Sequence, residues 1–520
     1  MTVIETLCRR RDLGVTRLRG LRGARADLAA FLLGAISALA LPPLFVLPAL
    51  LLAIPGLLIL IEVAPGVRGA ARRGFWFGFG NNLFGLYWIT EAILVEAAHF
   101  WWLVPFAAPA VAAVVAVFVA AAAAGARCAR PGWPRVPALA GAWVLSDLAR
   151  QFAFTGFPWN LWGADWAVPG RFGDIFLQPA ALVSVHGLTL ATLLLAGTPL
   201  LSWRGRAAGA ALLAAWLGFG LWRLAIPLPA GPGITALLIQ GNVAEGHKFD
   251  RAFAARIFAR YLRLTRTAVR RAGGARTLVV WPETASPYLI GSDPPARQAI
   301  AAAAGGSPLG PSAGRVVALV GAVRFGGHRR PRNSLFALTG GGVVAGIYDK
   351  HHLVPFGEYQ PDWFPLPIQV VPGGGFAAGP GPRSLTLPGL PRLGPLICYE
   401  AIFPGEVIDE ADRPALMVNV TNDAWFGDSA GPRQHLAAAR LRAVEEGLPL
   451  LRAANTGISA VFDARGHEVA QLGLDLTGVL TASVPGALPP TPFARFGLWV
   501  PLGLATVTLA LGLGGRRRLM

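Results

Sequence analysis

The stretch PLICYEAIFP, residues 395–404, places a cysteine at the end of an apolar run and follows it at once with an aromatic residue and a glutamate. Read with the residues before it, RLGPLICYE (392–400) is a short strand ending in polar side chains. ITALLIQGN (234–242), TLVVWPE (277–283), RVVALVGAVRF (315–325) and ALMVNVTND (415–423) also read as strands. Between these runs, residues 251–272 and 432–447 have the period and length of helices. Such alternation predicts an α/β domain with a largely buried sheet. In sheets of that kind, sites gather beyond the carboxyl ends of the strands. Cys398 is therefore either one more small apolar residue of the core or a nucleophile presented at a strand end.

Outside that region the chain has a different character. Of 520 residues 54% are hydrophobic and 14% charged, with a mean hydropathy of +0.51, too apolar for an ordinary soluble protein. Crossing ~30 Å of hydrocarbon takes roughly 17–25 helical residues, and stretches near 27–42, 44–63, 74–95, 102–124, 136–150, 180–202, 207–226 and 494–514 are read as about eight spans. The net charge of +18 would point to nucleic acid in a soluble protein, but the basic residues sit largely at the ends of the apolar segments, so no nucleic-acid partner is expected.

Those basic residues give an orientation, because arginines flanking spans stay on the cytoplasmic side. Arg9, Arg10, Arg11, Arg17, Arg19, Arg22 and Arg25 precede the first span. Arg68, Arg72 and Arg73, then Arg127, Arg130 and Arg135, then Arg204 and Arg206, and finally Arg516, Arg517 and Arg518 mark every second connection. Arg150, Arg171 and Arg223 are exceptions on the other side. Both termini are expected in the cytoplasm. The expected organisation is a basic N-terminus (1–26), a transmembrane bundle (27–230), an outward-facing α/β domain (231–488), and a C-terminal span with a basic tail (489–520). The basic N-terminus with the apolar segment after it is signal-like, but it lacks a clear small-x-small cleavage site and is read as an uncleaved span.

Three strand ends carry the candidate chemistry. VVWPETASP offers Glu283, GIYDKHHLVPFGEYQP offers Lys350 and Glu358, and PLICYEAIFP offers Cys398, Tyr399 and Glu400. A thiol needs a base to become a thiolate, and the oxyanion it forms on a carbonyl needs a positive donor. Taken singly, each residue has a plainer role in the core or on the surface. Cys8, Cys128 and Cys398 show neither a disulfide framework nor zinc spacing, and His351 and His352, as neighbours, diverge; no metal or cofactor is expected. The Gly-rich PGGGF (372–376) has no helix behind it to cradle phosphate.

Taken together and in this order, WPET, YDKHHLVPFGEY, CYEAIFP and TNDAWFG resemble the carbon–nitrogen hydrolase (nitrilase) superfamily. Inside a membrane bundle with one span after the domain, they are similar to its apolipoprotein N-acyltransferase family, and the resemblance covers essentially the whole chain. It implies an extracytoplasmic nitrilase-like α-β-β-α sandwich on a polytopic helical bundle in a bacterial inner membrane. It further implies Cys398 as nucleophile, Glu283 as general base, Lys350 as oxyanion donor, and Glu358 and Glu400 as acids that orient the lysine and shape the site, beside Tyr399. The implied partners are a phospholipid acyl donor and a diacylglyceryl apolipoprotein acceptor. Phe249 stands where that family commonly has tryptophan. Trp363, Phe364, Trp425 and Phe426 are expected to line an acyl-chain entrance at headgroup level, where such rings are favoured; sheet-edge packing is their plainer role. A membrane-tethered amidase that hydrolyses its thioester remains open on the same residues, as does a transporter or lipid-binding scaffold with an inactive domain.

Overall fold

A computed structural model of the chain describes residues 15–95, 97–248, 251–273, 276–305, 316–326, 330–361 and 375–514. It divides into a helical unit (Met1–Ile93, Phe100–Arg223 and Phe496–Met520) and an α/β unit (Leu94–His99 with Leu224–Arg495).

In the helical unit, four helices among the described residues are long and apolar enough to cross a membrane: Gly23–Ala40, Trp101–Arg127, Ala180–Leu200 and Trp203–Ala225. Leu47–Glu62 and Trp499–Gly514 are shorter apolar helices. The stretch read as a span over 74–95 is broken: the helix Gly66–Gly85 ends and Ile89–Val95 begins anew. That first helix packs through glycines, whose missing side chains let backbones touch. A Cβ on Gly80 would stand 2.2 Å from the carbonyl oxygen of Phe31, and one on Gly34 would meet Phe77 in the same way. The helix Arg135–Phe152 carries Asp147 and Arg150, and its charges are consumed internally. Arg150 donates to Asp147 at 2.8 Å and to the Trp159 carbonyl at 2.7 Å, and Arg223 donates to Gln178. Two of the three arginines that broke the orientation pattern are thus buried, bonded side chains of the bundle.

The α/β unit contains two sheets. The first, in the order β11-β1-β2-β3-β4-β5, has β1 (Thr235–Gln240), β2 (Thr277–Val280) and β3 (Val316–Phe325) parallel, with β4 (Pro331–Leu338), β5 (Val344–Asp349) and β11 (Gly478–Ser483) added antiparallel to their neighbours. The second, in the order β10-β9-β8-β7-β6, pairs β6 (Leu393–Ile397), β7 (Leu416–Thr421) and β8 (Leu450–Ala454) in parallel; β9 (Ser459–Phe462) and β10 (Glu468–Leu472) follow antiparallel.

Period-two alternation of side chains builds the layers. Ala236 and Leu238 of β1, Leu278 and Val280 of β2, and Val317 and Leu319 of β3 face Leu393 and Ile397 of β6 and Val418 and Val420 of β7 across one apolar core. Their neighbours Leu237, Ile239, Val279, Ala318 and Val320 turn outward onto Ile257, Phe258 and Tyr261 of the helix Arg251–Arg271 and Ile300 of Pro294–Ala303. Leu396, Met417 and Leu450 pack on Ala439 and Ala443 of the helix Ala430–Glu446. This is the expected α-β-β-α sandwich. Because β5 is antiparallel to β4, and β4 to β3, the carboxyl ends of β2, β3 and β5 and the start of β4 lie along one edge.

Candidate active site

That edge brings three separated motifs together. Trp281 still pairs with β3 through its N–H to Leu319 at 2.8 Å, and the chain then crosses over Gly321 to reach Glu283. A Cβ at Gly321 would lie 2.1 Å from the Pro282 carbonyl oxygen and 2.8 Å from the Glu283 Cα, so only glycine lets the carboxylate segment pass this close. At the end of β5, Lys350 keeps its N–H on the Asn333 carbonyl at 2.9 Å. The preceding Asp349 is anchored by Arg324 (2.7 and 2.5 Å) and the Ser334 hydroxyl (2.7 Å). Burial works against the Asp349 carboxylate, yet these partners hold its pKa below the usual value.

Lys350 is buried to 1% exposure and donates to Glu283 at 3.1 Å and to Glu358 at 3.0 Å. Burying an ammonium alone would cost several kcal/mol. Here desolvation, the largest influence, is overcome by the two carboxylates, and the Lys350 pKa moves well up; the lysine stays charged at any ordinary pH. One amide spans both acids, since Asn333 Nδ2 donates to Glu283 at 2.7 Å and to Glu358 at 3.0 Å. Glu358 also accepts from the Val354 N–H at 2.8 Å.

Cys398 opens a 3-10 turn, Cys398–Ile402, directly after β6, and its φ of +51° is left-handed. That conformation costs a non-glycine residue roughly 1–2 kcal/mol. Glu400 offsets the cost: its buried carboxylate accepts from the Ile397 N–H (2.6 Å), the His351 N–H (2.7 Å) and the Tyr348 hydroxyl (3.0 Å), and bonds to a charged group contribute roughly 1.5–3 kcal/mol each. Burial first and the Glu283 charge second raise the Cys398 pKa, while Lys350 and a hydrogen bond with Thr421 pull it down without prevailing. Burial thus favours the neutral thiol over the thiolate. Attack on a carbonyl then requires a base at the moment of bond formation.

The other expected residues are distributed unevenly. Glu358 holds the lysine, whereas Glu400 braces the turn that carries Cys398 and the segment after Lys350. Tyr399 is buried, with its ring edge-on to Phe403 at 5.2 Å. Trp425 and Phe426 are half-buried on the turn Asp423–Phe426, and Phe426 lies 6.1 Å from the His435 ring. Phe249, Trp363 and Phe364 fall outside the described residues, as does most of PGGGF. The adjacent histidines serve different partners: His351 sits at 2.8 Å from the Tyr348 hydroxyl, and His352 at 2.9 Å from Glu406.

Four polar residues beside the site had no place in the sequence reading. Asn333 is one. The others are Asp423, His435 and Arg452, fully or almost fully buried under the Cys398 turn. Arg452 donates to Asp423 at 2.8 Å and lies 3.2 Å from His435 Nδ1; Asp423 Oδ1 is 2.9 Å from the same nitrogen, and His435 Nε2 is 3.1 Å from the Cys398 carbonyl oxygen. Burial opposes the Asp423 charge, and Arg452 followed by His435 brings its pKa to about 2. Ligand-type atoms of Cys398, Asp423 and His435 lie within 4.8 Å of one another. A guanidinium already stands among them, however, and both imidazole nitrogens are engaged, so the trio is built as a hydrogen-bonded network and does not fit a metal ion. The available signal was TNDAWFG, where an acid follows an apolar strand.

A carboxylate, an ammonium and a thiol at the strand ends of an α-β-β-α sandwich are the parts of a carbon–nitrogen hydrolase. The carbon-nitrogen hydrolase family matches residues 240–489, and the apolipoprotein N-acyltransferase N-terminal domain matches residues 33–198. The chain is 40% identical to an apolipoprotein N-acyltransferase of Sinorhizobium medicae over 90% of this chain and 92% of that one. It is 39% identical to one of Bradyrhizobium diazoefficiens over 95% and 96%. Among solved structures, a carbon-nitrogen hydrolase from Helicobacter pylori G27 aligns at 17% identity and a TM-score of 0.36, over 55% of this chain and 95% of that one. With about 40% identity to those two relatives along nearly its whole length, the chain belongs to the apolipoprotein N-acyltransferase family.

Proposed function

We propose that the protein moves an acyl chain from a membrane phospholipid to the N-terminal amine of the diacylglyceryl cysteine of apolipoproteins, through a thioester on Cys398. The observation that carries this reading is the buried Cys398 on a left-handed turn at the end of β6, with the buried Lys350–Glu283–Glu358 cluster, in a chain with long apolar helices. In the first half-reaction Glu283 takes the thiol proton as sulfur adds to the ester carbonyl. The developing oxyanion is met by the Lys350 ammonium. Collapse of the adduct expels the lysophospholipid alkoxide, which recovers the proton, and leaves the acyl thioester. In the second, Glu283 accepts a proton from the attacking amine, the nitrogen–acyl bond forms, and the sulfur departs and is reprotonated. Glu358, fixed by Asn333 and the Val354 amide, holds the ammonium in place through both.

Purified full-length protein given phospholipid alone is expected to release one lysophospholipid per chain and to gain the mass of one acyl group on Cys398. The adduct should persist until an amine acceptor is added. Rapid turnover without amine would assign the site to a tethered amidase, and no adduct at all to an inactive scaffold.

The proposed setting is the bacterial inner membrane, with both termini in the cytoplasm and residues 231–488 in the periplasm. The arginine clusters at alternate connections support it, and the burial of Arg150 and Arg223 removes two of the exceptions. Reporter fusions after Arg206 should read as cytoplasmic and fusions within 231–488 as periplasmic. A cytoplasmic signal from the latter overturns the placement and, with it, the lipoprotein acceptor.

A further inference from the structure

His435 is completely buried on the helix Ala430–Glu446. A buried imidazole is ordinarily a satisfied core residue, and what singles this one out is the identity of its acceptor. The group 3.1 Å from its Nε2 is the backbone carbonyl of Cys398 itself, the residue whose left-handed φ sets the direction of the thiol. A carbonyl can only accept, so Nε2 carries the hydrogen. On the other side of the ring, Nδ1 lies 2.9 Å from the Asp423 carboxylate, which can only accept, and 3.2 Å from Arg452 Nη2, which can only donate. The Cys398 carbonyl requires the Nε2–H whether or not Nδ1 is protonated. Burial and then the Arg452 charge push the His435 pKa down, against the Asp423 carboxylate, which raises it. Asp423 holds Arg452 at 2.8 Å and accepts from the Thr421 hydroxyl at 3.0 Å, and Arg452 also donates to Asn419. The imidazole is thereby fixed from β7, β8 and the helix at once.

We infer that His435 is a positioning residue of the reaction: its Nε2–H, oriented by Arg452 and Asp423, clamps the Cys398 carbonyl and so keeps the thiol aimed at the Glu283 and Lys350 side chains. Without that clamp, the turn is free to relax toward an ordinary backbone conformation. Misplacing a nucleophile by about 1 Å is enough to cost roughly 10²-fold, so the effect falls on the chemical step and leaves phospholipid binding alone. The inference rests on Cys398 being the acylated residue.

The test compares two amides in the full-length protein. In His435→Asn the amide sits where Nδ1 was, within reach of Arg452, but it stops short of the Cys398 carbonyl; in His435→Gln an N–H extends to it. The expected result is acyl-enzyme formation slowed about 10–10²-fold in His435→Asn, with the half-saturating phospholipid concentration unchanged within about twofold and most of the rate regained in His435→Gln. Alkylation of Cys398 by a small uncharged reagent should follow the same order. A His435→Asn rate near wild type, a His435→Gln rate no better than His435→Asn, or a change confined to half-saturation overturns the inference. If His435→Asn does not accumulate as folded protein, His435→Gln decides alone: a rate within about tenfold of wild type supports the clamp, and a loss of about 10²-fold or more ends it. Wild-type protein that forms no acyl adduct would sink the acyl-transfer reading instead, and the alkylation order would still report on the clamp.

Discussion

Cys398→Ala is expected to abolish both lysophospholipid release and the acyl adduct, a loss on the order of 10⁶-fold measured as single-turnover acylation of the full chain. The reason is that Cys398 is the thiol at the strand ends, while Glu283 and Glu358 are tied to Lys350 and Asn333 and the Thr421 hydroxyl donates to Asp423. Removing sulfur from a buried site also leaves a small void, with a stability cost of about 1 kcal/mol. Folding should therefore survive, and phospholipid should still bind. A variant that keeps releasing lysophospholipid would make Cys398 a core residue and require a different nucleophile.

Lys350→Met should lower acyl-enzyme formation by roughly 10³-fold, the upper end of the ~10²–10³ range for a neutral oxyanion donor, because a full charge is lost. It also leaves the Glu283 and Glu358 carboxylates without their shared cation. Two buried acids without a counter-charge repel, and one of them takes up a proton, so Glu283 loses strength as a base and the half-saturating concentration changes little. The chain itself argues that a lysine is needed here: of its 46 basic residues only Lys248 and Lys350 are lysine, the rest being arginine. An arginine presents a wide planar fork where the site provides a pocket for a compact ammonium, and at 1% exposure there is no room to adjust. Lys350→Arg is thus expected to fall nearly as far as Lys350→Met. Near-native transfer in Lys350→Met would exclude Lys350 from the oxyanion, and near-native transfer in Lys350→Arg would show that the site accepts a guanidinium.

The strands that carry Glu283 and Cys398 were readable because each is an unbroken apolar run meeting polar residues at the carboxyl end, and burial on both faces of a sheet demands that pattern. β4 was not, since PRNSLFAL opens with proline, arginine and asparagine. Those polar residues belong to the active edge: Arg332 and Asn333 sit where β4 begins beside the ends of β3 and β5. β10 and β11 are partly exposed and lack a continuous apolar run. Asp423, His435 and Arg452 escaped for a different reason. They come from a turn, a helix and a strand, and nothing local distinguishes Arg452 within LLRAA from a solvated arginine. The same limit applied to Arg150 and Arg223, where position along the chain could not reveal burial in the bundle. Gly66–Gly85 shows the converse, because its glycines serve helix contact while Arg73 is spent on Asp27.

A cysteine that rests protonated and walled in has a consequence for endurance in the periplasm proposed for this domain. Oxidants and disulfides react with exposed thiolates, and Cys398 is neither ionised nor open, at 7% exposure. In the reaction proposed above, its sulfur becomes a strong nucleophile only while a substrate carbonyl is docked and Glu283 takes the proton. Oxidation of Cys398 by a soluble oxidant is therefore expected to be slow in the folded protein, and fast inactivation would show the sulfur to be accessible.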